Sequence, residues 1–263
     1  MMASITVVVP TYNKADYIQE TLKSIYAQTF RDWKLLVIDD ASTDQTISIV
    51  QNMIDPLQAR FVILPTNQGI CHVLNKALEF IDTEYFIQVD GDDWIEPDTL
   101  HVLYNEMIHQ PKKTALIYAN TSHWHINQGE TLYKKVKQRN FLNRYDFATY
   151  DHMVQPRFYR TSCVKEAGGW EIDDLTGGKL MEDRRMLLRL LDNYSFAYVD
   201  RDLYHFRYHT NNLSQDSNAF IYNKLRKYYT DCALQRWGGH YTAHMIGPPH
   251  LWQSIRLEPV YVD

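Results

Sequence analysis

Acidic side chains gather at points where apolar runs end. Asp90-Gly91-Asp92-Asp93 follows Tyr85–Val89, Asp39-Asp40 follows Trp33–Ile38 with Asp44 close behind, and Pro10-Thr11-Tyr12-Asn13 follows Ile5–Val9. If these runs are neighbouring strands, their ends bring at least five carboxylates (Asp39, Asp40, Asp90, Asp92, Asp93) to one rim. Like charges at such range repel and raise one another's pKa unless a cation joins them. Hard divalent cations take oxygen ligands, and Mg²⁺ or Mn²⁺ is commonly shared between one or two carboxylates and substrate phosphates. A lone Asp after a strand serves equally well as a turn former or helix cap, so Asp44 stays open between the two roles. One cap needs only one side chain, so the Asp90, Asp92 and Asp93 cluster reads as functional. Neither GxGxxG nor GxxxxGKS/T follows the first apolar run. Phosphate charge therefore has to be met by metal and cationic side chains rather than by a glycine-rich cradle.

The elements that must position these acids alternate in type. Strands are expected at Ile5–Val9, Trp33–Ile38, Phe61–Leu64 and Tyr85–Val89. Helices are expected at Asp16–Gln28, Thr43–Ile54 with Ser42 as N-cap, Gly69–Phe80 and Pro97–His109. This alternation implies an α/β fold with a Rossmann-like, mostly parallel central sheet covered by helices on both faces. In such sheets ligands bind outside the carboxyl ends of the strands, where the acids are. Beyond Pro111 the pattern loosens. A strand is expected at Ala115–Tyr118, an antiparallel excursion over Asn120–Val136 turning at Asn127-Gln128-Gly129, a strand at Arg157–Arg160 and a helix at Arg184–Leu191. A helical tail over Phe220–Trp237 is expected to be followed by irregular chain through Gly247-Pro248-Pro249. The division that follows is a nucleotide lobe over 1–110, an acceptor-side lobe over 111–215 and a C-terminal helical tail over 216–263.

Composition narrows the partners. The 263 residues suffice for a sizeable core without disulfide staples. A net charge of −5 argues against nucleic acid as a partner, since that needs a basic stripe. Cys71, Cys163 and Cys232 lie far apart with no CxxC, which fits a reducing, cytoplasmic setting. No apolar run reaches the length of a membrane span, so at most peripheral membrane association is expected. His123 and His125 alternate as on a strand, and His240 and His244 are spaced as a helical pair; without an HExxH all four read as surface or core histidines.

Several segments together resemble the family 2 glycosyltransferases with the GT-A fold. They are VVVPTYNKADYIQETLKSIYAQTFRDWKLLVIDDASTD, NQGICHVLNKAL, YFIQVDGDDWIEPDTL, YRTSCVKEAGGW, EDRRMLLRL and FRYHTNNLS, in order from Ile5 to Ser214. The resemblance implies a nucleotide-diphosphate sugar, with UDP as the expected nucleotide, as donor and a saccharide or other hydroxyl as acceptor. Pro10, Thr11, Tyr12, one or both of Asp39 and Asp40, and Asp90 would hold the nucleotide. Asp90 and Asp92 would form the DxD, and Asp92, Asp93 and His209 are the candidate ligands of Mn²⁺ or Mg²⁺. Asp183 would be the general base, with Glu182 as the alternative. Gly169 and Trp170 would face the sugars, although Trp170 reads equally well as a core residue. One departure stands out: Leu74 precedes Asn75 where the family often has a diphosphate-binding Arg, leaving Arg157, Arg160 or Arg207 as substitutes.

The implied reaction is inverting transfer. Asp183 would take the acceptor proton as the hydroxyl attacks the anomeric carbon, and the metal would neutralise the leaving diphosphate. A nucleotidyltransferase is the rival enzyme, but it is expected to carry an early glycine- and basic-rich phosphate loop, which Pro10–Lys14 is not. A non-catalytic nucleotide-sugar-binding protein is the rival binding module, and the complete set of acids argues against it.

Overall fold

The computed structural model describes residues 3–127, 130–209 and 216–260. The first half alternates as expected: β1 Ile5–Thr11, α1 Ile18–Tyr26, β2 Trp33–Asp39, α2 Thr46–Met53, β3 Ala59–Ile63, α3 Ile70–Phe80, β4 Tyr85–Gln88, a short β5 Trp94–Ile95 and α4 Thr99–His109. The chain continues through β6 Thr114–Asn127, β7 Glu130–Val136, α5 Arg144–Ala148, β8 Gln155–Arg160, α6 Thr161–Glu166, α7 Glu182–Leu190 and β9 Ser195–Tyr208. It closes with α8 Ala219–Arg236 and the strands β10 Tyr241–Ile246 and β11 Ser254–Pro259.

One sheet runs through the molecule in the order β3-β2-β1-β4-β8-β6-β9-β5, with β7 paired to β6. The first four strands are parallel. β8 enters antiparallel between β4 and β6, and β9 lies parallel to β6. Sheet pairing therefore crosses residue 110 without a break, so the two expected lobes share one sheet. β1 is buried at every position, as a central strand covered on both faces must be. The helix faces follow the 3.6-residue period: α1 buries Ile18, Leu22 and Ile25 against Val7, Val9, Val37 and the α4 residues Leu100, Leu103 and Met107. On the other face, α3, α6, α7 and α8 pack Leu74, Ala77, Val164, Leu187 and Leu225 over Val8, Phe86 and Tyr159.

The sequence reading needs correction in three places. Ser42 is not the N-cap of α2; its N–H and hydroxyl both turn back to Asp39, and Asp44 Oδ1 accepts from the Thr46 N–H at the start of the helix. The chain after α8 is not irregular. β10 and β11 form an antiparallel hairpin, written in the alternation of exposed Thr242 and His244 with buried Ala243. His240 and His244 accordingly share no helix. The Asn120–Val136 excursion is the β6–β7 hairpin, whose turn residues Gln128 and Gly129 lie outside the described residues. Among the described residues no helix is long and apolar enough to cross a membrane.

Candidate active site

The crevice opens where the strand order reverses, between β1 and β4. β4 pairs with β1 only as far as Val8, whereas β2 accompanies β1 to Thr11. Val8 presents its carbonyl to the Val89 N–H, so Pro10, two residues on, turns its donor-less nitrogen toward the same, now empty side. Proline thus ends the strand without leaving an unpaired N–H facing the crevice. Opposite it, Gly91 carries the Asp90–Asp93 loop against β1. A Cβ there would stand 2.9 Å from Thr11 Oγ1, closer than real Cβ contacts come, and a tight 3.2 Å from the Pro10 carbonyl oxygen.

The acids around this crevice divide by what they touch. Asp39 is fully buried, and its oxygens accept from the Ser42 N–H and hydroxyl. Burial raises its carboxyl above the ordinary range, with the Ser42 bonds opposing. Asp40 accepts from the N–H groups of Gln68 and Gly69, both at 2.8 Å, and so orders the approach to α3. Pro10 and Thr11 are also buried, while Tyr12 is 41% exposed and presents its ring at the rim.

Asp92 faces the crevice. Its Oδ2 lies 2.5 Å from Lys14 Nζ and 2.9 Å from His209 Nε2. Burial alone would raise its carboxyl, but the His209 contact and the Lys14 ammonium prevail and hold it down at about 2. His209 is stacked on Tyr17, with ring centroids 4.5 Å apart. Asp93 points inward instead: Tyr204 Oη donates to its Oδ2 at 2.7 Å and the Arg207 N–H to its Oδ1 at 2.9 Å. Burial, followed by the charges of Asp92 and Asp90, pushes Asp93 well above the carboxylate range. Asp93 thus fastens β9 beneath the acidic loop and does not share the Lys14 and His209 contacts of Asp92.

Asp90 and Asp183 meet on one cation. Arg157 is buried on β8 because the antiparallel register sets it opposite Gln88 of β4. Its Nη2 donates to Asp90 Oδ2 at 3.1 Å and its Nη1 to Asp183 Oδ2 at 2.9 Å. Gln88 Nε2 also donates to Asp90, at 2.8 Å. The Asp90 carboxyl is raised, with burial outweighing the attraction of Arg157 and Asp92 adding to the rise. Asp183 reaches this position because Met181 adopts a left-handed φ of 57° just before α7, a conformation that non-glycine residues rarely take. The neighbouring Arg184 anchors the helix by donating to the carbonyls of Ala148 and Tyr150. Among the described residues Glu182 has no ion-pair partner; burial and the charge of Asp183, against the pull of Arg157, push it up to about 8. The member of the pair held against a guanidinium is Asp183.

The three substitute arginines separate clearly. Arg157 is in the crevice. Arg160 is turned to Glu84 and Tyr85. Arg207 donates to the Asp92 carbonyl and Glu20 and lies between the rings of Tyr17 and Trp94 at 4.9 and 4.6 Å. Leu74, at the departing position, is a core residue.

Gly169 and Trp170 do not face the crevice, which overturns their reading as sugar contacts. Trp170 is 4% exposed and packs edge-on against Phe86 and Tyr159. Asn75 clamps its backbone in both directions, and a Cβ on Gly169 would stand 2.5 Å from Asn75 Oδ1. Conversely, Lys14 is a site residue that the sequence reading passed over. Its signal was present as a cation five residues beyond Val9, the end of the β1 apolar run.

Among the described residues no three His, Cys, Asp or Glu side chains converge into a ready-made metal cage. The donor set still suits a hard cation shared with a phosphate ligand, because such an ion needs only one or two protein ligands. Asp92 and His209, in contact at 2.9 Å, are the residues that could supply these.

Comparison with known proteins gives the family and the fold. The chain is 27% identical over 220 residues to Glycosyltransferase GlyA of Streptococcus pneumoniae serotype 4 (strain ATCC BAA-334 / TIGR4), covering 80% of this chain and 31% of that protein. Its fold matches residues 1–349 of S. aureus TarS in complex with UDP-GlcNAc, with a TM-score of 0.65, 22% identity, and coverage of 86% of this chain and 66% of that one. The mannosyltransferase PcManGT from Pyrobaculum calidifontis, in complex with GDP-Man and Mn2+, also superposes with a TM-score of 0.65, at 19% identity, over 89% of this chain and 65% of that one. The chain thus spans about a third of that first relative and about two thirds of these structures. The sequence model for Glycosyl transferase family 2 matches residues 6–165, more than half of the chain, and the chain belongs to that family.

Proposed function

We propose that the protein transfers a sugar, with inversion, from a nucleotide diphosphate donor of the UDP-sugar type to an acceptor hydroxyl in glycoconjugate or polysaccharide synthesis. The observation that carries this reading is the Arg157 bridge. One buried guanidinium binds both Asp90, at the strand-end crevice, and Asp183, at the start of α7, so the donor-side acid and the candidate base stand on either side of a single cation.

In this reading the exposed Tyr12 ring flanks the nucleoside, and Lys14 and His209 face the diphosphate. Asp92 and His209, with Asp90, would hold Mn²⁺ or Mg²⁺; when bound, such an ion neutralises charge on a leaving diphosphate. Asp183 accepts the acceptor proton during attack. The ion pair with Arg157 holds its carboxylate in place for that role. Glu182, pushed up to about 8, carries its proton at neutral pH and is the poorer acceptor. Inversion requires one carboxylate on the attacking side, and Asp183, paired with Arg157 across from Asp90, is the candidate for it.

The test is calorimetric titration of UDP with Mn²⁺ and again with EDTA. Binding that weakens at least tenfold on chelation is expected from Asp92 and His209 as ligands; equal affinity in both conditions contradicts the metal assignment.

A further inference from the structure

The C-terminal segment lies outside the matched family region, yet it reaches the site. α8 packs along α7, which carries Asp183. Tyr222, near the start of α8, is 8% exposed, and its hydroxyl makes no hydrogen bond among the described residues. Tyr222 lies in the same buried cluster as Met186, Leu187 and Leu190 of α7, the helix that opens with Glu182 and Asp183.

Beyond Tyr222 stands Trp252, 41% exposed, with the two rings edge-to-face at 5.4 Å. Single exposed aromatic residues are common and need no explanation by themselves. Trp252 differs in how firmly it is held. Its indole N–H is committed to Asp216 Oδ1 at 2.7 Å, which fixes the ring orientation. The loop that carries it is pinned to α8. Asn223 Nδ2 donates to the carbonyl of Leu251 at 2.7 Å and Asn223 Oδ1 accepts from the Gln253 N–H at 3.1 Å, while Arg226 Nη1 donates to the Gln253 carbonyl at 2.5 Å. Buried polar side chains thus hold an exposed aromatic ring against Tyr222, which packs with the apolar residues of α7.

Building on the glycosyl-transfer reading above, we infer that Tyr222 and Trp252 form an acceptor site for a saccharide of at least two units. The Tyr222 hydroxyl orients the sugar whose hydroxyl faces Asp183, and the Trp252 face supports the next unit. A pyranose ring presents a C–H face that packs on an indole, and its hydroxyls remain free for polar contacts. Both are positioning residues, and neither touches the donor carboxylates or Lys14.

The test is retention of the protein, with UDP present, on a printed array of defined saccharides from monosaccharides to hexasaccharides. Trp252→Ala should reduce retention on disaccharides and longer chains about tenfold and leave monosaccharide spots unaffected. Tyr222→Phe, which removes only the hydroxyl, should weaken every spot. UDP affinity by calorimetry and the denaturation midpoint of Tyr222→Phe should stay at wild-type values. Retention unchanged in both variants overturns the inference, as does wild-type protein that binds UDP but no saccharide. Wild-type protein that fails to bind UDP overturns the donor-site reading instead, and the two failures are thereby distinguished.

Discussion

Gly91→Ala isolates the close approach of the acidic loop to β1. The added Cβ would meet Thr11 Oγ1 at 2.9 Å, Thr11 Cβ at 3.1 Å and the Pro10 carbonyl oxygen at 3.2 Å. Ordinary contact begins near 3.4 Å, so the neighbours would have to yield by a few tenths of an ångström at three atoms. β1 is held in register by β2 through Thr11 and does not yield readily, so the loop moves. Overpacking of this kind costs about 1–3 kcal/mol. The same displacement carries Asp90 and Asp92 away from Arg157, Lys14 and His209, so UDP affinity should fall at least about tenfold. Gly177→Ala is the matched control. Nothing lies within 4 Å of its added Cβ, and its φ of 64° alone imposes about 1–2 kcal/mol. Both variants lose stability in urea denaturation, but only Gly91→Ala should lose UDP binding in calorimetry. A Gly91→Ala protein with wild-type UDP affinity would refute the packing argument.

The remaining predictions follow from the same geometry. Asp92 has its folded pKa lowered to about 2 from an ordinary value of 3.8, so its ion contacts contribute stability that is fully present above about pH 5 and is lost as pH falls through 4 toward 2. Asp92→Asn should therefore be less stable than wild type by about 2 kcal/mol at neutral pH, with the gap closing below pH 4 in pH-resolved urea titrations. A gap independent of pH would show that the Asp92 charge is not what stabilises the loop. Trp170→Ala should lose about 3–5 kcal/mol through cavity formation and retain wild-type UDP affinity in its folded fraction. Weakened UDP binding without loss of stability would return Trp170 to the ligand site.

Most of the parallel half of the fold was legible because β1, β2 and β4 are buried on both faces and read as continuous apolar runs, whereas the edge strand β3 is only half-buried. β1 and β2 begin where their runs begin. The acids at the strand ends were legible too, but their individual roles were not. Asp92 and Asp93 are adjacent, and only the pairing of β5 and β9 decides that Asp93 turns to Tyr204 while Asp92 turns to Lys14 and His209. The Arg157 bridge depends on β8 lying antiparallel beside β4, a long-range pairing that no local period announces. β9 was missed because Asp200, Arg201 and Asp202 interrupt its alternation where its register against β6 shifts. Trp170 shows a different limit: an aromatic beside a glycine pair packs or faces a ligand equally well until Asn75 is known to close over it.

The central claim is that Asp183 removes the acceptor proton. Asp183→Asn keeps the size of the side chain and much of its hydrogen bonding at the start of α7, so it tests the charge. The measurement is the initial rate of UDP release from a panel of UDP-sugars with Mn²⁺, alongside UDP affinity for the same protein. The account predicts a rate lower by about 10²–10⁴-fold with UDP affinity unchanged. An Asp183→Asn protein that turns over at near the wild-type rate would contradict it and transfer the role to Glu182.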